Sequence, residues 1–313
     1  MIIYIARRLL ATLPVIMMVA IVIFAILRLT PGDPAAIIAG DDATADQLAQ
    51  IRQAMGLDQP IYTQFVVWVG RLLHGDLGVS LLSGTPVLDM IAGRMGPTLA
   101  LAISTIVLTV IIAIPLGVIA AWRQGKWLDR LIMSFSVLGF SIPTFVVGYL
   151  LIYFFAIQLD WLPVQGYKPL SAGFLAFAQR LILPTLALSA IYVALIARIT
   201  RSSIIEVMGE DYIRTARAKG LKEKAVLMRH ALRNAAVPIV TVIGIGIASL
   251  ISGVVVTESV FNLPGLGRLV VEAVLARDYP VIQGLILLFS IVYILINLIV
   301  DLLYTVFDPR IRY

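Results

Sequence analysis

The groups in this chain that can recognise a partner by charge are concentrated in one stretch, DYIRTARAKG, from Asp211 to Gly220, inside a basic segment running from Arg198 to Arg233. Asp211 stands where a carboxylate opposes the positive end of a helix dipole. Arg214, Arg217 and Lys219 follow in the next turns, and Gly220 is free to take the left-handed position that ends a helix. Guanidinium and ammonium groups so placed bind carboxylates and carbonyls through charge-assisted hydrogen bonds. A second helix is expected to follow as far as Pro238, with Leu221, Ala225, Met228 and Leu232 on one stripe and Lys222, Arg229 and Arg233 on another. Two short helices would then meet at Gly220 in a rigid elbow. The spacing fits two uses equally: a docking surface for a protein, or amphipathic helices resting on anionic lipid headgroups.

Other chemistries fall away residue by residue. The chain has no cysteine, hence no disulfide, thiolate nucleophile or cysteine-ligated metal. Gly125-Lys126 is followed by Trp127 and lacks the upstream glycine of a phosphate-binding loop, so the chain is not its own ATPase. Gly265-x-Gly267 has no strand before it, and Leu263-Pro-Gly-Leu-Gly267 reads as a turn between membrane elements. His74 and His230 fall on opposite sides of a membrane and share no metal, and no serine has a plausible histidine and aspartate partner set within one compartment. No catalytic residue and no metal ligand is assigned.

The elements that position the charged stretch are dictated by the solvent. Apolar residues are 60% of the 313 and charged residues 13%, against roughly 45–50% and 25% in soluble domains, and the mean hydropathy is +1.00. That composition belongs in a bilayer. Six runs approach the length of about 20 residues that spans a membrane: Leu9–Leu27, Thr98–Ala121, Leu131–Ile157, Leu181–Ala197, Ala235–Thr257 and Tyr279–Val300. The fourth is the shortest, and Pro184 near its outer end is expected to kink or break it. The first is too long for the apolar core of a signal peptide and reads as a retained anchor. With the N-terminus inside, sixteen Lys and Arg lie on the cytoplasmic side and eight on the other, while residues 30–97 carry seven Asp against three basic residues. Both termini are therefore expected in the cytoplasm. The pI near 9.6 follows from this topology and does not call for nucleic acid.

The span interiors are nearly free of charge, which disfavours coupling to an ion gradient. Glu258, Arg198 and Asp301 sit close to span ends, where snorkelling or interfacial pairing accounts for them. In the external loop, Thr44-x-x-Gln47 is a capping box leading into Leu48, Ile51 and Met55 and stopped by Gly56, the mark of a short amphipathic helix. The chain divides into residues 1–93, an anchor plus external loop; residues 94–305, the membrane domain with its cytoplasmic helices at 200–235; and a tail, 306–313.

The stretch around Asp211 resembles the cytoplasmic signature of permease subunits in binding-protein-dependent ABC importers, E-A-A-x-x-x-G followed by a hydrophobic-Pro step. Aligned on Gly220, its first three positions fall on Arg214, Thr215 and Ala216, with Val237-Pro238 further on. A basic first position and a late proline depart from the general pattern and match the dipeptide and oligopeptide branch. Pro31-Gly-Asp-Pro34, Gly56-Leu-Asp-Gln-Pro60, Gly75-Asp-Leu-Gly78 with Ser80, Phe261-Asn-Leu-Pro-Gly-Leu-Gly-Arg268 and Arg277-Asp-Tyr-Pro280 extend the resemblance over essentially the whole chain.

The resemblance implies an all-α polytopic protein of the bacterial inner membrane, with six transmembrane helices in the type I ABC importer permease fold. It implies a non-catalytic subunit that works with a homologous second permease, two cytoplasmic ATP-binding subunits and an external substrate-binding protein. ATP and Mg would be used by the partners, and this chain would contact lipid and no nucleic acid. Asp211, Arg214, Thr215, Ala216, Arg217 and Gly220 would form the helix that couples to the ATPases. Di- or oligopeptides are the implied cargo, with glutathione, a nickel chelate or another small solute as alternatives; a stand-alone gradient-driven carrier is the reading from another class. Ser141, Thr144, Tyr192, Thr241 and Ser249 are path-lining candidates, although each residue type serves equally in helix packing.

Overall fold

The computed structural model describes residues 2–29, 35, 44–54 and 56–307. The described chain is helical, with one isolated antiparallel bridge between Val79 and Pro86. In order, the helices are α1 (Ile2–Leu29), α2 (Ala45–Ala54), α3 (Ile61–Leu73), α4 (Val87–Trp122), α5 (Trp127–Ser141), α6 (Thr144–Gln158), α7 (Phe174–Met208), α8 (Asp211–Ala218), α9 (residues 223–234), α10 (Ala236–Val260), α11 (Leu266–Leu275) and α12 (Tyr279–Phe307). The Pro31–Pro34 motif, Met55 and the end of the tail, 308–313, lie outside the described residues.

α7 is the axis of the bundle. Half of its most apolar window is buried, against 11% for that of α12, and it packs on α4, α5, α6 and α10. Its seam with α4 is built from buried residues four apart, Leu101 followed by the smaller Thr105, Thr109, Ala113 and Gly117. At Gly117 a β-carbon would meet Thr200 Cβ at 2.5 Å and the Ala197 carbonyl oxygen at 2.7 Å, so only glycine lets the two backbones approach this closely. On the opposite side of α4, Leu99, Ile103, Val107 and Ile111 form an exposed apolar stripe with the same spacing. A helix with an apolar outer face and a small-residue inner face is built for lipid outside and backbone contact inside.

Among the described residues four helices are long and apolar enough to cross a bilayer: α4, α7, α10 and Tyr279–Leu303 of α12. The pair α5–α6 passes the same test as one broken unit. α1, 28 residues long, contains the first apolar run and packs on α12.

Two expected boundaries are corrected. The run Leu131–Ile157 is not one straight span; it turns through 102° between α5 and α6. Pro143 cannot donate to the ladder, and Ile142 before it is extended at φ −93° and ψ 125°. Conversely Pro184 neither breaks nor ends its helix, since α7 continues through it for 35 residues. Pro184 is itself buried between packed neighbours, whose contacts outweigh one missing hydrogen bond.

At the start of α2 the capping box is formed as the spacing predicts: the Thr44 N–H donates to Gln47 Oε1 at 2.9 Å, and the Gln47 N–H donates to Thr44 Oγ1 at 3.3 Å. Gly56 follows at φ +65°. The sequence pattern had not separated α3 from the loop. It lies against α1 through Phe65 and Trp68, whose rings are 5.3 and 5.7 Å from that of Phe24.

Glu258 does not snorkel. It is fully buried at the end of α10, where its carboxylate accepts the Thr98 hydroxyl of α4 at 2.5 Å and the Arg268 N–H of α11 at 3.0 Å. The chain after it folds back so tightly that a β-carbon on Gly265 would overlap the carboxylate. Leu263–Gly267 is therefore more than a turn: Leu266 and Gly267 begin α11, and the Leu266 N–H donates to Thr98 Oγ1 at 2.8 Å. Arg198, by contrast, is exposed at its helix position.

Candidate functional site

The charged stretch forms α8 with the ends its sequence predicts. Asp211 lies in the first turn, and the helix closes in a Schellman arrangement, with Gly220 N–H on the Arg217 carbonyl at 2.9 Å and Leu221 N–H on the Ala216 carbonyl at 3.3 Å. Gly220 has φ +79°. One face of α8 is buried: Ile213 and Ala216 pack with Val226, Val207 and Met208. The other face carries Asp211, Arg214, Thr215 and Arg217, all exposed. Of the six residues expected to couple, Ala216 thus faces its own bundle, while the others surround an accessible surface.

The exposed face is internally ordered. Arg214 pairs with Asp211 at 2.7 Å, one turn back. Arg217 reaches across Gly220 to Glu223 of α9, with its Nε on Oε1 at 2.8 Å and its Nη2 on Oε2 at 3.3 Å. This fork holds α8 and α9 at a set angle and leaves donors of both guanidiniums pointing outward. Tyr212 is partly buried, and that, with the Glu210 carboxylate nearby, raises its phenol above the usual range against a hydrogen bond from Asn234. The phenol stays neutral at physiological pH.

The second helix differs from the expected stripe. Val226, Leu227 and Ala231 are buried, while Leu221 and Met228 are exposed. A π-turn spans Val226–Ala231, and Leu221 lies ahead of the helix, which begins at Glu223. The helix also ends at Asn234, and Pro238 sits in the first turn of α10, where its missing N–H leaves no ladder bond unmade. Leu227 and Ala231 pack with Val118 of α4, Ile204 of α7 and Ile239 of α10. The elbow is therefore seated on one end of three apolar helices, α4, α7 and α10.

Beside it lies a clamp that sequence reasoning missed. Asp129, in the first turn of α5, accepts Arg201 Nε at 2.6 Å and Nη2 at 2.8 Å, and also the Gly125 N–H at 2.9 Å. Its side chain is 5% exposed. The available signal was that Asp129 is the sole acidic residue between Asp89 and Asp160.

Motifs remote in sequence also meet. Ser80 donates to Asp278 at 2.5 Å, the Leu81 N–H donates to the same carboxylate at 3.2 Å, and Arg268 bonds Asn262 within its own motif. Glu272 bridges Arg94, at 2.7 Å, and Arg268, at 2.8 Å.

The path candidates do not form one cluster. Ser141 and Thr144 flank the bend at Pro143, and Ser141 donates to the Val137 carbonyl at 2.8 Å. Tyr192 lies in the core with Leu188, Leu250 and Val254. Thr241 and Ser249 of α10 donate to carbonyls one turn back, at 2.7 and 2.9 Å, with Ser249 exposed.

This arrangement, a helix bundle with an elbow packed on one end, is accompanied by clear kinship. Residues 113–313 match the family described as binding-protein-dependent transport system inner membrane component, and residues 1–102 match its N-terminal companion. The chain belongs to this family. It is a permease subunit of the ABC-importer class and a protein of the bacterial inner membrane. It is 54% identical to a probable peptide ABC transporter permease protein, y4tP, of Sinorhizobium fredii, over 99% of both chains. It is 47% identical to the glutathione transport system permease protein GsiC of Escherichia coli K12, again over 99% of both. Among solved structures, inward-facing forms of the MetNI methionine ABC transporter match with TM-scores of 0.59 and 0.58 at 18% identity, the first covering 71% of this chain and 97% of that one. That likeness establishes the type I importer permease fold.

Proposed function

We propose that this chain is one of two homologous permease subunits in an ATP-driven importer, with α8 seated in a groove of a cytoplasmic ATP-binding subunit. The carrying observation is the elbow: an exposed polar face fixed by Asp211–Arg214 and Arg217–Glu223, backed by a buried face anchored on α4, α7 and α10. A surface of this kind passes force because its far side is locked into the spans. Two ATPases closing with Mg-ATP between them would shift both elbows and alternate the access of the path between the permeases. Asp211, Arg214, Thr215, Arg217 and Gly220 form the contact face, with Ala216 as its internal anchor; Ser141, Thr144, Tyr192, Thr241 and Ser249 remain candidates for the path.

In this reading α1 is the sixth span, both termini are cytoplasmic, residues 1–93 form the anchor and outer subdomain, and residues 94–305 form the transport domain. A separate binding protein delivers cargo to the outer surface. The proposed cargo is a short peptide, with glutathione as the alternative, supported by the 54% and 47% identities to permeases so named.

Mild detergent extraction through a tag on this chain, followed by mass spectrometry, tests the assembly: a second permease and ATP-binding subunits should co-purify, and recovery of this chain alone would overturn the reading. The contact face is tested by reversing both Arg214 and Arg217 to Glu. The complex should lose transport-coupled ATP hydrolysis, and unaltered coupling would remove α8 from the interface.

A further inference from the structure

α3 has three sides, and one of them is apolar and open. Phe65 and Trp68 pack on Phe24 of α1, with ring centroids 5.3 and 5.7 Å from it. Thr63, Gln64 and Arg71 form a second, polar side, which lines a cavity together with Tyr279, Pro280 and Gln283 of α12. Tyr62, Val66 and Leu73 fall on the remaining side of the helix and are 70%, 67% and 83% exposed. No residue of α3 is fully buried, so its apolar side chains are not spent on a core of this chain.

An apolar stripe left open on a helix is a contact surface, and the level at which the helix sits decides what it meets. Phe24 is the next-to-last residue of the apolar stretch Leu10–Ala25 of α1, and Tyr279 is the first residue of the apolar span Tyr279–Leu303 of α12. α3 touches the first and shares a cavity with the start of the second. It therefore lies level with the places where two apolar helices leave the hydrocarbon. Just before Phe24, α1 exposes Met18, Ile21 and Val22, an apolar surface that leads up to this level.

Charge decides how such a helix is held. From Asp58 to Asp76 the chain carries two carboxylates against one guanidinium, Arg71, so anionic headgroups offer this segment no net attraction. Its affinity for a bilayer must come from burying apolar area. A stripe of large apolar side chains with a polar edge beside it is the pattern of a helix lying at the boundary between headgroups and acyl chains.

We infer that α3 is an interfacial helix, lying along the bilayer surface with Tyr62, Val66 and Leu73 inserted among the lipid acyl chains and held there without regard to headgroup charge. The inference rests on the reading of α1 as a membrane span. So seated, α3 ties the segment between α1 and α4 to the membrane and turns the edge that carries Thr63 and Arg71 toward water.

The chain has no cysteine, so single cysteines can carry a nitroxide label without any other change. The labels are placed by Tyr62→Cys, Val66→Cys and Leu73→Cys on the stripe and Thr63→Cys on the polar edge. Met18→Cys and Ile299→Cys, at exposed positions of α1 and α12, serve as references. In the purified complex in phosphatidylcholine vesicles, collision with oxygen, which dissolves among acyl chains, is compared with collision with a nickel chelate, which stays in water. The three stripe labels should favour oxygen several-fold over the Thr63→Cys label, at a depth of about 5–10 Å. Added phosphatidylglycerol should leave that depth unchanged. Introducing Val66→Asp and Leu73→Asp should move the Tyr62→Cys label into the aqueous class while the Ile299→Cys label stays where it was. Chelate preference at Val66→Cys and Leu73→Cys with oxygen preference at Met18→Cys would overturn the inference alone. Immobile labels reached by neither reagent would overturn it in favour of a protein cover, and a depth that requires phosphatidylglycerol would overturn the apolar mode of binding. Chelate preference at Met18→Cys would overturn α1 as a span, and the inference with it.

Discussion

Replacing Asp129 by Asn strips the charge from a carboxylate that accepts three hydrogen bonds at 2.6, 2.8 and 2.9 Å, while the Arg201 guanidinium stays in place. An amide has one acceptor oxygen instead of two, and its NH₂ faces a donor. Breaking a fully buried pair costs about 3–5 kcal/mol because the surviving charge loses its partner. The Arg201 side chain is 25% exposed, so water recovers part of that, and about 2–3 kcal/mol is expected. Arg201→Met should cost a similar amount by stranding Asp129, which is 5% exposed. With both changes together no charge is stranded, and the double variant should lie within about 1 kcal/mol of the native protein. Denaturant unfolding of the four forms in mixed micelles gives the cycle. A coupling energy of about 3–6 kcal/mol is expected, the sum of the two single effects less that of the double variant. A value below about 0.5 kcal/mol would refute the assignment of the pair as a clamp between the α4–α5 turn and α7.

At Gly220 a β-carbon would meet nothing within 4 Å, so the cost of Gly220→Ala comes from φ +79° alone; about 1 kcal/mol of local destabilisation is expected, seen as faster hydrogen exchange in α8 and α9 with the rest of the bundle unchanged. Gly117→Ala should cost about 1–3 kcal/mol by forcing α4 from α7, since Thr200 Cβ and the Ala197 oxygen would lie 2.5 and 2.7 Å from the added carbon; a compensating Thr200→Ala should restore only part, because the carbonyl stays, and this can be read from thermal inactivation of the purified complex. Glu258→Gln leaves one carboxylate-type acceptor for the Thr98 hydroxyl and the Arg268 N–H and should cost about 1–3 kcal/mol, whereas Glu258→Leu should cost more by orphaning both donors; equal effects of the two in an unfolding titration would deny the hydrogen-bonding role.

Hydropathy alone was enough to place this chain in a bilayer, and local chemistry was enough to end its helices. The capping box at Thr44 and Gln47, the first-turn Asp211 and the left-handed Gly220 depend on residues within one or two turns, so each stood in the sequence as it stands in the structure. Pro143 and Pro184 show where that reach ends. Both remove one donor, yet the first turns the chain through 102° and the second lies inside an unbroken helix, because α7 is gripped by four neighbours and its contacts decide the matter. The buried face of α9 is likewise decided by packing: Leu227 and Ala231 meet α4, α7 and α10, while Met228 beside them stays exposed.

Partners far apart in sequence belonged to the tertiary structure. Asp129 and Arg201 are separated by 72 residues, Thr98 and Glu258 by 160, and Ser80 and Asp278 by 198. The residue types were visible from the start, but a carboxylate near a span end has the same one-dimensional signature whether it faces headgroups or a buried hydroxyl. What the chain is made of set its solvent, its helices and the charge of its elbow, since those follow from composition and from neighbours three or four positions away. Which faces meet was set by close approach of small residues, by the bend at Pro143 and by the fold-back after Glu258; these bring together groups that no local pattern relates.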